Sequence, residues 1–256
     1  MSMFQRIATG TTPRRRRALV YGVHGVGKST FAASAPNPIF IQTEDGLGDI
    51  ECHRFPLAES FSEVMAALAD LYSHEHEYET VVVDSLDWLE RFIWAEVCRD
   101  RGVGSIEDIG YAKGYVFALT HWREFLEGLA ALRLDRDMTV VLLAHSKIER
   151  FENPETESYD RYVPRLHKSA SHLIQEWCDE VLFATYRVYV KQTEEGFGRK
   201  RVHGIGSGER ILRTAERPAH MAKNRLGLPD EIPLAWTAYA EHWTNNRVAA
   251  ATQGDN

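Results

Sequence analysis

Only three cysteines, Cys52, Cys98 and Cys178, occur in 256 residues, far apart and without paired spacing. That excludes a disulfide framework and the usual zinc patterns, leaving three core or surface thiols. Histidine is more plentiful, but His74-x-His76 has no companion ligands nearby and reads as a solvated helix end. No apolar stretch approaches the length that crosses a bilayer. The arginine run Arg14 to Arg17 is followed by no signal-type apolar segment with a cleavage site, so a cytoplasmic protein without a membrane partner is expected. Acidic side chains are missing from residues 1–43, which hold six basic ones, so a net charge of −7 leaves −13 for the remainder. A second basic excess lies between Arg199 and Arg225, where eight Lys or Arg meet only Glu209 and Glu216. Such patches can track a phosphate backbone even on an acidic protein.

With 44% apolar and 26% charged residues the chain can bury a full core. Short apolar runs alternate with longer helical stretches, the pattern of parallel βαβ units, so the expected class is α/β. Strands are expected at about 18–21, 39–42, 80–83, 138–143 and 181–185. Ser60-x-x-Glu63 reads as a capping box opening a helix through Val64, Ala67, Leu68 and Leu71. Residues 86–99 and 116–134 also carry helical spacing. Tyr186 to Gln192 and Arg199 to His203, separated by a Gly-containing turn, suggest an antiparallel hairpin at one sheet edge, extended by a short strand at 210–214. The expected organisation is a basic segment at 1–17, one α/β domain over 18–246 and a mobile tail at 247–256.

Gly22-Val23-His24-Gly25-Val26-Gly27-Lys28-Ser29 meets every fixed position of G-x-x-x-x-G-K-[ST], behind the apolar run Ala18-Leu19-Val20-Tyr21. In such a phosphate-binding loop the glycines let backbone N–H groups turn inward. The lysine, Lys28, reaches the β- and γ-phosphates, and the Ser29 hydroxyl is placed on Mg²⁺, with Thr30 next in line. A helix starting near Lys28 points its positive end at the same anion. ATP and Mg²⁺ are therefore the expected ligands. Thr80-Val81-Val82-Val83-Asp84 is a hydrophobic strand ending in a carboxylate, and Asp84 is expected to hold the magnesium opposite Ser29. Ser85 would orient a water or cap the next helix. Ile39-Phe40-Ile41-Gln42 runs into Thr43-Glu44-Asp45, and functional groups collect beyond the carboxyl ends of such strands. Glu44 is the expected general base for water attacking the γ-phosphate, with Asp45 the runner-up. His145, ending the strand at 138–143, is the expected γ-phosphate sensor.

These segments together resemble the RecA-type recombinase and ring-helicase core, a mostly parallel sheet with helices on both faces and an antiparallel C-terminal edge. More narrowly, Gly25 to Thr30, Asp84-Ser85-Leu86 and Ala222-Lys223-Asn224-Arg225-Leu226-Gly227-Leu228-Pro229 are similar to compact phage-encoded RecA-like P-loop ATPases of the single-strand annealing and recombination group. The resemblance covers roughly residues 15 to 235. It implies a DNA-dependent ATPase, assembled as a homo-oligomeric ring or filament in the host cytoplasm, with single-stranded DNA and a single-stranded-DNA-binding protein as partners. It also implies that Lys223 and Arg225 reach the γ-phosphate bound by a neighbouring subunit. Two loops would then face DNA: 102–114, with Tyr111 and Lys113, and 147–167, where Phe151, Tyr159 and Tyr162 interleave with Arg150, Arg161 and Arg165. From His145 to Lys168 five basic residues meet five acidic ones, so that second loop is neutral overall. A P-loop small-molecule kinase and a nucleotide-gated scaffold without useful turnover are the competing classes. Glu44 and the strand order suggested by the motifs favour hydrolysis over the kinase.

Overall fold

Residue parity along each apolar run decides the architecture. In the computed structural model, which describes residues 2–7, 14–195 and 199–243, with the side chains of residues 3, 5 and 189–207 set aside, these runs become strands of one sheet. They are β1 (Arg17–Gly22), β2 (Pro38–Gln42), β3 (His53–Arg54), β4 (Thr80–Asp84), β5 (Thr139–Phe151), β6 (Tyr159–Pro164), β7 (Glu180–Glu195), β8 (Arg199–Arg213), β9 (Lys223–Asn224) and β10 (Glu231–Pro233). The helices are α1 (Lys28–Ala33), α2 (Phe61–Ser73), α3 (Leu86–Arg101), α4 (Lys113–Asp135) and α5 (Lys168–Trp177), with residues 236–243 also helical.

The sheet runs β10-β8-β7-β1-β5-β4-β2-β3, with β6 on β5 and β9 on β7. Strands β7, β1, β5, β4, β2 and β3 are parallel, while β8 and β10 form an antiparallel edge. This is the expected α/β sheet. Successive strand side chains point to opposite faces. Leu19, Tyr21, Ile39, Ile41, Val81, Val83, Val140 and Leu142 therefore join the core under α2 to α5. Their neighbours Ala18, Val20, Phe40, Val82, Val141 and Leu143 join the core under α1 and the 236–243 helix. Strands buried on both faces must be apolar throughout, which is why these runs do not alternate with polar residues.

Each helix offers a matching stripe. In α2, Phe61, Val64, Ala67, Leu68 and Leu71 are buried at the i, i+3, i+4, i+7 spacing. The Ser60 hydroxyl accepts from the Glu63 amide at 3.3 Å, whereas the Glu63 carboxylate takes the amide of Glu59 at 2.8 Å rather than that of Ser60. The expected capping box thus closes one residue early.

Two expectations are corrected here. The strand at 138–143 does not end in a loop. Past His145, β5 leaves its parallel neighbours and pairs with β6 from Ser146↔Pro164 to Phe151↔Tyr159, so most of 147–167 is an antiparallel hairpin. The separate strand at 210–214 is the end of β8, which pairs along β7 with one register shift between Tyr186 and Val188. The hairpin turn at 196–198 and the tail at 247–256 lie outside the described residues.

The arginine run is also not a free patch. Arg15 bonds Asp137 and Glu79 at 3.0 and 3.2 Å, Arg16 pairs with Glu180, and Arg17 grips Asp179 at 2.8 and 3.2 Å. These pairs fasten the start of β1 to the entry ends of β4, β5 and β7.

At the other end of β1, a methyl group on Gly22 would lie 2.1 Å from the Ala184 carbonyl oxygen of β7. Overpacking of this kind costs typically about 1–3 kcal/mol. Gly22→Ala should lose at least that much stability in urea unfolding, because the obstacle is backbone and cannot rotate away.

Candidate nucleotide site

Parallel register decides which side chains meet. Gly22 pairs with His145 of β5 and Ala184 of β7, while Asp84 pairs with Leu143 of β5 and Gln42 of β2. One strand, β5, stands between the Gly22 strand and the Asp84 strand. The end of β1 thus finishes level with His145 and the ends of β4 and β2 level with Leu143, two residues before it, and the residues that follow them converge. The cavity they enclose is about 500 Å³ and is lined by His24, Lys28, Ser29, Glu44, Asp84, His145 and Arg210 among others. That volume suits a small-molecule ligand, for which about 300–1,000 Å³ is usual.

The loop itself has the expected form. Gly27 precedes α1 with φ of 101°, a left-handed conformation that a side chain would strain. Lys28 is buried, and its ammonium donates to the carbonyls of Gly22 and Val23 at 3.3 and 3.2 Å. Burial pulls its pKa down, against the opposing charges of Asp84, Asp87 and Glu44. Ser29 Oγ donates to Asp84 Oδ2 at 2.6 Å. Burial pushes the Asp84 carboxyl up, and the Ser29 hydroxyl works against that. A hydroxyl and a carboxylate oxygen side by side are the hard donors that Mg²⁺ takes. Thr43 fastens the floor: its hydroxyl donates to the Ser85 carbonyl at 2.7 Å and accepts the Ser85 amide at 2.8 Å. Ser85 does not cap α3; its Oγ is buried and unpartnered among the described residues. A loop with this cation, this oxygen pair and an orphaned hydroxyl fits a magnesium nucleoside triphosphate.

Beside the cavity is a cluster that sequence spacing did not single out. Asp87, in the first turn of α3, accepts the His145 amide at 3.0 Å and lies 3.1 Å from His145 Nδ1 through each carboxylate oxygen. Arg165 Nε donates to the same carboxylate at 3.2 Å. Burial alone would raise the Asp87 pKa, but hydrogen bonds from His145 and Arg165 hold it well below the usual carboxylate range. An ionised carboxylate only accepts, so Nδ1 carries the imidazole proton and Nε2 faces Glu44 Oε1 at 3.9 Å. His24 stacks on His145 with ring centroids 3.9 Å apart. The charge of His145, with some burial, lowers the His24 pKa.

A profile of the AAA domain family matches residues 14–226. The chain belongs to the AAA domain family. Among solved structures, the crystal structure of the RadB recombinase is similar at 12% identity and a TM-score of 0.43, over 78% of this chain and 80% of that one. No curated protein matches. Among the described residues no helix is long and apolar enough to cross a membrane, and no group of three or more His, Cys, Asp or Glu is arranged to hold a metal.

Within this AAA domain the expected site residues divide. The 22–30 loop, Asp84, Glu44 and His145 come together. Lys223 and Arg225 do not join them, since β9 pairs with Glu180 and Val181 at the entry end of β7. The Lys223 expectation is corrected: its ammonium donates to the carbonyls of Gln175, Glu176 and Cys178 at 2.9, 2.9 and 2.6 Å, closing the C-terminus of α5 with all three protons engaged. Arg225 is 59% exposed, 3.8 Å from Asp179.

The DNA-facing set divides as well. Arg165 belongs to the Asp87 cluster. Arg161 lies over the Phe151 ring at 3.9 Å and pairs with Glu216 at 3.6 Å, leaving only 14% of its side chain exposed. Tyr162 stacks on Phe183 at 4.9 Å and packs against the core, so it offers no free face to a base. Tyr159 rests against Phe151 at 5.5 Å, and Arg150 is exposed with Asp160 at 3.7 Å. Tyr111 is 97% exposed, two residues before Lys113 opens α4. In the 199–217 basic face, the side chains before residue 208 lie outside the described set.

Under the β5–β6 hairpin, Glu90 of α3 is buried and accepts the His167 amide through both oxygens at 3.0 Å, at the start of α5. Burial pushes its pKa up to about 7, partly opposed by the His167 hydrogen bond and by Lys147. A raised carboxyl pKa means the folded protein binds this proton more tightly than the unfolded chain, so the contribution to stability is full below about 4.5 and is lost as pH rises through about 7. Glu90→Gln keeps the acceptor and removes the titration. Urea unfolding should find it close to wild type at pH 4.5 and more stable by up to about 3 kcal/mol at pH 8.

Proposed function

We propose that this AAA domain is a Mg²⁺-dependent ATPase acting on single-stranded DNA as a homo-oligomer. The observation that supports it is the chain of contacts in which Glu44 approaches His145 Nε2 at 3.9 Å and His145 and Arg165 both hydrogen-bond Asp87, which runs from the cavity to the residue that follows β6. Such a path lets the chemistry of the site bear on the hairpin. Tyr111 and Lys113, with Tyr159 and Arg150 near the hairpin tip, are the remaining DNA contacts in this reading. The resemblance to phage-encoded RecA-like proteins supports recombination, annealing or replication in the host cytoplasm as the setting, with a single-stranded-DNA-binding protein as a further partner.

Hydrolysis follows from the residues. Glu44 accepts a proton from water as the water oxygen bonds the γ-phosphorus and the bond to the bridging oxygen of ADP breaks. His145, its Nδ1–H fixed by Asp87, holds Nε2 toward Glu44 and the γ-phosphate end. Lys28 offsets charge on the phosphate oxygens, and Val23, His24, Gly25 and Val26 shape the backbone around them. Ser29 and Asp84 would hold Mg²⁺, which supplies further neutralisation of the phosphates. Arg225, exposed and remote from its own loop, is the residue left to act across a subunit boundary.

Glu44→Gln should retain ATP binding while turnover falls by roughly 10²-fold or more, and Lys28→Ala should lose turnover with an unchanged circular dichroism spectrum. A large loss in Asp45→Asn with little in Glu44→Gln would transfer the base to Asp45. Phosphate release measured with and without single-stranded DNA tests the partner. Stimulation is expected, with Tyr111→Ala weakening DNA binding by about 1–3 kcal/mol. ATP turnover without any response to DNA would favour a small-molecule kinase, and stoichiometric ATP binding without turnover would favour a nucleotide-gated scaffold.

A further inference from the structure

Residue parity builds a second cavity away from the phosphate loop. Along the β5–β6 hairpin Lys147 stands opposite Val163 and Glu149 opposite Arg161, with Phe151 next on the same face. That face and the start of α5, through Lys168, Ser171 and His172 at the i, i+3, i+4 spacing, enclose about 510 Å³. Met221, whose amide donates to the Tyr162 carbonyl at 3.2 Å, closes another side. No residue that lines the nucleotide cavity lines this one.

One wall of this cavity is held from behind. Pro164, Leu166 and Lys168 line it, while Arg165 and His167, which alternate with them, are bonded to α3. Arg165 Nε donates to Asp87 at 3.2 Å, and the His167 amide donates to both Glu90 oxygens at 3.0 Å. The Arg165 amide also donates to the His145 carbonyl at 2.8 Å, and Lys147 Nζ to the Leu166 carbonyl at 3.0 Å. The cavity is therefore preformed, and an occupant has little protein to order on binding.

The lining carries a positive surplus, with Lys147, Arg150, Arg161 and Lys168 against Glu149 and Glu152. Lys147 pairs with Glu149 at 3.2 Å, whereas Lys168 and His172 are exposed and have no partner among the described residues. Both side chains offer N–H donors to a carboxylate. Buried Val163 and Leu166 form an apolar floor, with half-buried Met221 beside it. Phe151 has Arg161 on its ring at 3.9 Å and Tyr159 against it at 5.5 Å, so it is not open to stack on a nucleic-acid base. The lining follows β5 from Lys147 to Phe151, about 14 Å of strand, which suits an extended chain better than a compact small molecule. We propose that this cavity is a docking site for an extended acidic peptide segment of a partner protein. Carboxylates of the segment meet Lys168 and His172, and an apolar side chain rests on Val163, Leu166 and Met221. This docking is independent of the ATPase reading.

Fluorescence anisotropy of the full chain tests the assignment with a labelled hexapeptide of four acidic residues, a leucine and a C-terminal phenylalanine. Saturable binding is expected, and none of the same peptide with lysine in place of each acid. Serine in place of both the leucine and the phenylalanine should weaken binding by roughly tenfold or more, the scale of a lost apolar anchor. Lys168→Gln and His172→Gln, both at exposed positions, should each weaken the acidic peptide by roughly threefold to fivefold with unfolding midpoints equal to wild type. A labelled oligothymidylate should bind the two variants as it binds wild type. Absence of saturable peptide binding, equal binding of the lysine peptide, or undiminished peptide binding by both variants would overturn the inference. So would a loss of oligothymidylate affinity in the variants equal to the loss for the peptide, which would give the cavity to single-stranded DNA.

Discussion

Strand β1 has no freedom at either end. Its first residues are tied by Arg15, Arg16 and Arg17 to carboxylates at the entry ends of neighbouring strands, and Gly22 meets the backbone of Ala184 with no room for a side chain. Every distance at the phosphate end depends on that clamp. If β1 slid by one residue, Gly22 would lose its place opposite His145, and the alternation that buries Leu19 and Tyr21 on one face and Ala18 and Val20 on the other would invert. The loop, Asp84, Glu44 and His145 are therefore brought together by strand register, and the side-chain contacts among them refine a meeting already arranged.

Charge availability differs sharply from charge composition. Six basic residues and no acid in residues 1–43 suggest an open cationic arm. Three of the four consecutive arginines instead hold Asp137, Glu79, Glu180 and Asp179, and Asp179 also draws Arg133 at 3.6 Å and Arg225 at 3.8 Å. Arg161, Arg165 and Lys223 are similarly engaged. What remains for an external anion is a smaller set, of which Arg210 has the most specific placement.

The phosphate loop and the Asp84 strand were legible because their signal is local: a fixed residue pattern and an unbroken apolar run. Helix faces were legible for the same reason, and boundaries shifted by only a few residues. The hairpin at β5–β6 was hidden because its polar, charge-balanced sequence reads as a loop until a partner strand is supplied. Asp87 carried a weak local trace, a second acid three residues after Asp84, but its role depends on His145 and Arg165, 58 and 78 residues away. Arg210 lay within the basic excess of residues 199–225, but nothing in its neighbourhood of sequence reveals that β8 brings it beside Gly27. Tyr162 and Arg161 were misassigned because an aromatic next to a base looks alike whether it faces solvent or packs on Phe183 and Phe151.

The position of β1 between β5 and β7 also has a bearing on how the chain is made. Its two neighbours begin 122 and 163 residues after its own first residue, so a growing chain displays the loop sequence long before either flanking strand exists. Contacts of such long separation form slowly and leave strand edges exposed meanwhile. A ribosome-bound fragment ending before residue 180 would carry the whole G-x-x-x-x-G-K-S motif with one side of β1 open, and would have neither the Ala184 wall nor the Arg210 strand beside it. Competence to hold a nucleotide is therefore acquired late in synthesis, and the first strand of the sheet is one of the last to be secured.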